Sequence, residues 1–566
     1  MRRTIMKKLS LLALSLILVS SMLVSCTTTP APAPAPTTAP GTTAPTTPAA
    51  PEESAKGIVR IAQWNPPTGL FHPDILTSSY DSSVTSLIFE QLVEFAPDFS
   101  YSGSLAKSWD ISDDNLSVTF HLVETNWHDG TPFTAEDVKF TMEFVGHPDY
   151  TGPRYSNVEK IAGMAAWHAG EADHVSGIEI IDPHTIKITT EEILAPFLYH
   201  IAGRPIMPKH IWGNADVKTA DTNTALLLNP IGTGPFIFET FVPDSHVNLK
   251  SNPNYHAGAP KIDGITILAV NQDTAMAQLI RGEIDIIDLS DFNPDAIKQL
   301  TDAGAQIGKA GTVTAQHMGV NNRLPDFQPK EVRQGMMHAI QRQGIVDNLL
   351  YGEAYVQNNP FPQTIWAFPG EDVLEQYEYS PEKAIAKFEE AGYSYDKAAN
   401  IMHRADGSPV EWTLIYPTGN VPRMLSAQVI QDNFRDIGIA LTLDIMEFAT
   451  MSERIQISVS DFELFLIGMG TSFDADQKYI WETGASYNYC GWADEYSDSL
   501  MDQGLKFIDL EKRKEIYKEW ALYMNENVPN VWLYNPIAGA AFAGRLQNVI
   551  YFTGGYQYQI QNWEIK

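Results

Sequence analysis

Two cysteines in 566 residues set the first limit on this chain, because Cys26 closes an apolar N-terminal stretch and Cys490 stands alone far downstream. If Cys26 is consumed in processing, no disulfide can form, and a small stapled fold is excluded. Stability must then come from apolar burial. Hydrophobic residues make up 44% of the chain, and its length exceeds what one core supports, so two or more lobes are expected. Lys and Arg number 38 against 69 Asp and Glu, a formal net charge of -31. Gripping a phosphate backbone needs clustered cations that displace counterions, so nucleic acid is excluded as a partner. Cys490, within Tyr489-Cys490-Gly491-Trp492, reads as a half-buried packing residue rather than a nucleophile.

Arg2, Arg3, Lys7 and Lys8 precede the apolar run from Leu9 to Val24, which suits a secretion signal better than a membrane span. Leu23-Val24-Ser25-Cys26 closes it and resembles a bacterial lipobox, in which the cysteine is lipidated and becomes the new N-terminus. Residues 1–25 are therefore expected to be a signal peptide and Cys26 the lipidation site. Residues 27–51 contain no charge and no large apolar side chain, and their prolines favour extended polyproline II segments. Residues 26–56 thus read as a lipidated cysteine and a tether, which at roughly 3 Å per residue spans tens of ångströms. No later apolar run is long enough to cross a bilayer.

From Gly57 onward the patterns alternate between strand and helix. Leu116, Val118, Phe120 and Leu122 line one face of a strand; Asp129-Gly130-Thr131-Pro132 forms a turn. Thr134 and Asp137 then make a capping box ahead of the helical stripe Val138, Thr141, Met142 and Val145. Farther on, Ser380 and Pro381 open a helix with Ile385, Phe388 and Ala391 on its inner face, and Gly392 ends it. Val410 to Tyr416 reads as a strand, Pro417 to Asn420 as a loop, Met424 to Ile437 as an amphipathic helix, and Ile439 to Met446 as a strand. That order is a right-handed crossover unit of an α/β lobe. Ligands of such lobes gather beyond the carboxyl ends of strands, which singles out Thr418, Gly419 and Asn420.

Several segments, in order, resemble the peptide and nickel class of extracellular solute-binding proteins, family five. They are Ser104 to Trp109 with Asp114 and Trp127 to Val138; Gly232-Thr-Gly-Pro-Phe236 with Asn252 to Tyr255 and Pro260 to Asp263; Gly282 to Asp285; and Val332 through Ile345, Tyr379 to Ala384 and Ala391 to Tyr393. The similarity extends from about Ile58 to Leu533. There are departures. Val123 stands where the family has Arg, and Gln341 where a carboxylate precedes Arg342. In Gly468 to Asp476, Ser472 falls at the position where dipeptide binders similar to this chain place an aspartate on the peptide's amino group.

The resemblance implies a two-lobe α/β fold of the periplasmic-binding-protein type II, with an extra subdomain inserted in lobe one and a hinge between the lobes. Mapped here, residues 57–313 form lobe one with the insertion at about 96–205, residues 314–529 form lobe two, and residues 530–566 return to lobe one. The implied function is that of the extracytoplasmic binding component of an ABC importer, a monomer that captures a peptide or another small solute and hands it to permease and ATPase subunits. Expected cleft residues are Tyr80 and Asp81 in an early loop; Thr312, His317 and Asn321 around the first crossing; Thr418, Gly419 and Asn420; and Asp474, Trp481, Tyr487 and Trp492 late in lobe two. For each aromatic, core packing competes with ligand contact. No nucleophile motif, Walker loop, dinucleotide fingerprint or zinc pattern is present, so no catalytic residue, metal site or cofactor is assigned. A secreted hydrolase with carboxylates far apart in sequence, or a tethered ligand sensor, are the rival readings.

Overall fold

The computed structural model describes residues 57–566 apart from Thr77 and Ser290, so the expected signal peptide, Cys26 and the tether lie outside the described residues. Strand β1 (Ile58–Gln63) opens lobe one and is followed by a short hairpin of β2 (Val93–Phe95) and β3 (Tyr101–Gly103). Then come β4 (Ala106–Ile111), β5 (Ser117–Leu122), β6 (Ile178–Asp182) and β7 (Thr185–Thr189). They are succeeded by β8 (Phe236–Val242), β9 (His246–Ser251), β10 (Gly264–Ala269), β11 (Ile286–Leu289) and β12 (Gln306–Gly311). Lobe two contains β13 (Thr314–Val320), β14 (Ala354–Val356), the hairpin β15 (Ser394–Asp396) and β16 (Ile401–His403), β17 (Glu411–Pro417), β18 (Ala440–Met446) and β19 (Leu464–Gly470). Strand β20 (Asn530–Phe542) brings the chain back.

One hydrogen-bonded path, β18-β17-β19-β13-β20-β11-β1-β10-β9-β8, runs through both lobes. Strand β20 is the joint. Its first residues, Asn530 to Tyr534, pair with β13 of lobe two, and its last, Ile537 to Phe542, pair with β12 of lobe one. Because β12 and β13 follow one another directly, two antiparallel connections cross between the lobes. At the crossing the Thr312 amide and hydroxyl both donate to the Pro536 carbonyl (3.1 and 3.0 Å), and Asn535 Nδ2 donates to the carbonyls of Thr312 and Thr314 (2.8 and 2.7 Å). Strand β20, which begins at Asn530, thus pairs first with lobe two and then with lobe one. A single strand that is paired on both sides does not break where the lobe changes.

Separate cores hold the parts together. Lobe two packs residues from Met318 to Tyr534 around Trp412, Trp520 and Trp532. The insertion has its own four-stranded sheet, β4-β5-β7-β6, and its core draws on residues from Leu92 to Leu227 and on Ile508 of lobe two. The hairpin strand β2 and the segment after Pro205, on either side of residues 96–205, contribute apolar side chains to the same core. Lobe one buries both faces of its sheet, one around Trp563 and the other around Leu279 and Leu300.

Local chemistry explains the ends of these elements. Asp137 accepts a hydrogen bond from the Thr134 amide (2.9 Å) at the head of the helix Ala135–Val145, and Ser380 Oγ accepts from the Lys383 amide (3.2 Å) before the helix Pro381–Glu390. Gly392 then adopts φ +90°, which only a residue without Cβ takes readily. The crossover helix runs from Val421 to Asp436 and starts earlier than the apolar stripe suggested. Its start is fixed by Asn420, whose side chain accepts from the Arg423 amide (2.9 Å), with Pro422 in the first turn.

Candidate ligand site in the interlobe cleft

Parallel strands aim their carboxyl ends at the gap between the lobes. In lobe one β1 runs parallel to β10 and ends at Gln63; in lobe two β17 runs parallel to β18 and β19, ending at Pro417, with β19 ending at Gly470. The loops that follow, Trp64 to Gly69, Thr418 to Asn420 and Thr471 to Asp474, are the walls expected for a ligand cleft.

Two large hollows border the insertion. One, of about 540 Å³, lies between the insertion (Phe95, Tyr101, Arg154, Tyr199) and lobe one (Leu76, Thr85, Ser86, Gly554), with Phe473 lining it from lobe two. The other, of about 740 Å³, is more charged, with Glu159, Lys160 and Glu192 facing Asp476, Lys478 and Lys506. His200 borders both, so the two adjoin. A smaller hollow of about 210 Å³ sits beside the crossing strands, between Phe292 of lobe one and Gln316, Asn420 and Tyr534 of lobe two. Both large hollows fall within the roughly 300–1,000 Å³ typical of small-molecule sites.

Two arginines at the cleft lack a carboxylate partner among the described residues. Arg423, in the first turn of the helix Val421–Asp436, is half-buried and donates from Nε to Gln316 Oε1 (3.2 Å). Burial lowers its pKa. Arg154 lines the aromatic hollow of about 540 Å³ together with Tyr199 and Asn157. Among the described residues neither guanidinium is ion-paired, in contrast to Arg60, Arg404, Arg454, Arg513 and Arg545, which all meet carboxylates. A guanidinium without a carboxylate in a partly dry cleft is a receptor for one.

The expected residues divide by what holds them. Asp474 does not face the cleft as an available acid: it is buried, and Arg513 grips both of its oxygens, Nη1 at 2.8 Å from Oδ2 and Nη2 at 2.6 Å from Oδ1. The Asp-x-Asp turn folds back onto the helix Leu510–Asn527 that carries Arg513, which is why the carboxylate is used up. Ser472 lies beside it and donates to the Asp474 carbonyl (2.8 Å). Asp81 is likewise committed, accepting from the Thr68 amide and hydroxyl and the Gly69 amide (2.9, 2.8 and 3.0 Å), so it shapes the loop after β1. Tyr80 steadies that loop by accepting from Asn65 Nδ2 (2.9 Å). His317 is buried against Phe465 in a T-shaped contact at 6.0 Å. Burial, reinforced by Arg423, pushes its pKa down to about 4, so it is neutral. Asn321 is buried and donates to the Phe462 carbonyl (2.9 Å), and Thr312 is consumed at the crossing.

The aromatics follow the same division. Trp481 is core, edge-on to Trp532 at 5.2 Å with its indole N–H on Gln477 Oε1 (3.0 Å). Trp492 is half-buried under the Arg333 guanidinium at 5.5 Å. Tyr487 is exposed and packs edge-on against Tyr479 and Tyr489. Thr418 and Gly419 are exposed beyond β17, and Asn420 borders the small hollow while capping its helix. Phe95, Tyr101, Arg154, Tyr199, Arg423 and Phe473 are the cleft residues that sequence reasoning passed over. A usable signal existed only for the arginines, cations in a strongly acidic chain.

Two α/β lobes, two crossing strands, an inserted subdomain and a polar-aromatic gap between them define the fold of a two-lobe binding protein. The chain belongs to the bacterial extracellular solute-binding proteins, family 5, whose middle region matches residues 100–489. It is 25% identical over 518 residues to the oligopeptide-binding protein AppA of Bacillus subtilis (strain 168), covering 90% of this chain and 91% of that protein. Its fold is similar to that of the same AppA in complex with a nonapeptide, with a TM-score of 0.68 at 24% identity over 90% of this chain and 99% of the other. It is also similar to NikZ of Campylobacter jejuni in complex with Ni(L-His), with a TM-score of 0.69 at 25% identity over 90% of this chain and all of the other. Among the described residues no three His, Cys, Asp or Glu side chains converge as a metal-ligand set.

Proposed function

We propose that this protein is the tethered receptor of an ABC importer and that its solute is an oligopeptide longer than two residues, held between the lobes and passed to a membrane permease. The observation that carries the ligand class is the state of Asp474. With Ser472 beside it and its own carboxylate closed by Arg513, Asp474 is not available to a ligand's α-ammonium group. A charge-assisted hydrogen bond of about 1.5–3 kcal/mol is thereby lost to a dipeptide, which has few other contacts to replace it. A longer peptide gains them: strand ends offer main-chain groups, two adjoining hollows of about 540 and 740 Å³ take side chains, and Arg154 or Arg423 receives the terminal carboxylate. Similarity to an oligopeptide-binding protein supports the same class.

Isothermal titration with a dipeptide, its N-acetylated form and a longer peptide tests this. The longer peptide is expected to bind most tightly, and acetylation to matter little. Tight dipeptide binding abolished by acetylation overturns the proposal. Lipidation at Cys26 is the second part of the reading, supported by the basic, apolar, small-residue pattern that ends in Leu23-Val24-Ser25-Cys26. Cys26→Ser is expected to release the protein from the membrane fraction; unchanged processing and membrane association would refute it.

A further inference from the structure

Phe473, in the loop leaving β19, reaches across the cleft to two phenylalanines of the insertion. Its ring centroid lies 5.7 Å from that of Phe95 and 6.3 Å from that of Phe99, with both pairs tilted by 35°. These separations are in the attractive range for aromatic pairs. Phe95 is itself wedged against Tyr101 at 4.5 Å and Tyr199 at 5.6 Å, so the insertion presents a supported aromatic surface.

Phe99 carries the second observation. Its φ is +64°, the left-handed region that a bulky L-residue avoids. The turn between β2 and β3 is maintained without help from the ring. The Asp98 carboxylate accepts from the Ser100 amide (3.0 Å) and hydroxyl (2.6 Å), the Phe99 amide donates to the Ala96 carbonyl (2.9 Å), and the Ala96 amide donates to the Ser100 carbonyl (3.0 Å). Glycine or asparagine would satisfy the same backbone with less strain. What phenylalanine adds there is a ring that touches the other lobe. Strain of this kind persists where surrounding structure holds it, and it gathers at switching elements.

On the lobe-two side Phe473 has a rigid mount. Ser472 is tied to the Asp474 carbonyl, Asp474 is clamped by Arg513, and the Thr471 amide donates to the Val313 carbonyl at the crossing (3.0 Å). A contact made only when the lobes meet shifts the population toward the closed form, whether or not solute is bound.

We propose that Phe95, Phe99 and Phe473 form a latch that holds the insertion against lobe two and so sets how readily the closed cleft reopens. The proposal builds on the hinged capture described above, and its test uses no ligand, so its failure would leave that reading standing. Hydrogen exchange of the ligand-free full chain reads it directly. Phe473→Ala is expected to speed exchange several-fold at the amides of Ala96 and Phe99, in the opposite part of the molecule, while Phe473→Tyr, which keeps the ring, leaves them near the wild-type rate. Phe99→Asn preserves the left-handed turn, removes its ring and is expected to loosen the Thr471 amide in lobe two. Unchanged exchange at the far partner in both Phe473→Ala and Phe99→Asn overturns the latch, and so does Phe473→Tyr exchanging as fast as Phe473→Ala.

Discussion

Asp474 and Arg513 face one another as a two-pronged ion pair in which each side chain is only 1% exposed. Such a pair gains little net stability when intact, because both charges have left water, but removing one partner strands the other. Asp474→Ala is therefore expected to cost about 3–5 kcal/mol in unfolding free energy, measured by urea denaturation. Replacing both residues by apolar ones of similar size should recover much of that loss. A stable Asp474→Ala variant that has lost solute binding would show instead that the carboxylate serves the ligand.

Arg154 and Arg423 should behave in the opposite way. Neither is ion-paired among the described residues, and burial already disfavours the Arg423 charge. Arg423→Gln is expected to cost only about 1 kcal/mol in unfolding free energy, the hydrogen bond to buried Gln316, because no buried charge is stranded. If this guanidinium meets the ligand's carboxylate, affinity for a peptide falls by roughly 10- to 100-fold, the equivalent of about 1.5–3 kcal/mol, and C-terminal amidation of the peptide reproduces the loss. Arg154→Gln makes the same test of the other candidate. Titration calorimetry on both variants reads which arginine is used; two unchanged affinities would remove the carboxylate from the account.

Glu94 gives the protein a pH-dependent weak point between the hairpin strand β2 and lobe one. Burial, and next the neighbouring Glu90, push its pKa up to about 7 from an ordinary carboxylate value. In the folded state it keeps its proton to higher pH than in the unfolded chain, so folding is favoured at low pH and stability declines as pH rises from about 4.5 through about 7. Glu94→Gln should remove that slope, raising stability at pH 8 by about 2 kcal/mol while changing little near pH 4. Thermal unfolding of both proteins across that range checks the sign. A variant that tracks the wild type at every pH would contradict the assignment.

Local hydrogen bonding was what the sequence exposed most clearly. Thr134 with Asp137, Ser380 with Lys383, and Gly392 are each satisfied within a few residues, so their helix ends could be read without knowing the rest of the fold. The crossing at Thr312 was also marked, since the ordered family segments place lobe one before it and lobe two after it. Asp474 shows where such reading stops. An Asp-x-Asp loop looks the same whether its acid meets a ligand or a buried arginine, and the arginine here is 39 residues farther along, on another element. Asn420 was singled out correctly as lying beyond a strand, yet much of its hydrogen-bonding capacity is spent on a helix end. The aromatic wall was hidden for a different reason. Phe95, Tyr101 and Tyr199 come from the insertion and Phe473 from lobe two, and only the folded arrangement of two separate cores brings them together.

The central claim, capture of an intact oligopeptide between the lobes, is tested most directly by native mass spectrometry of the gently purified protein, with release and sequencing of whatever it carries. The account predicts a population with one bound peptide of more than two residues per chain, which dissociates whole when the protein is denatured. Release of a dipeptide, a sugar or a metal chelate, or recovery of cleaved fragments from an added peptide, would contradict it.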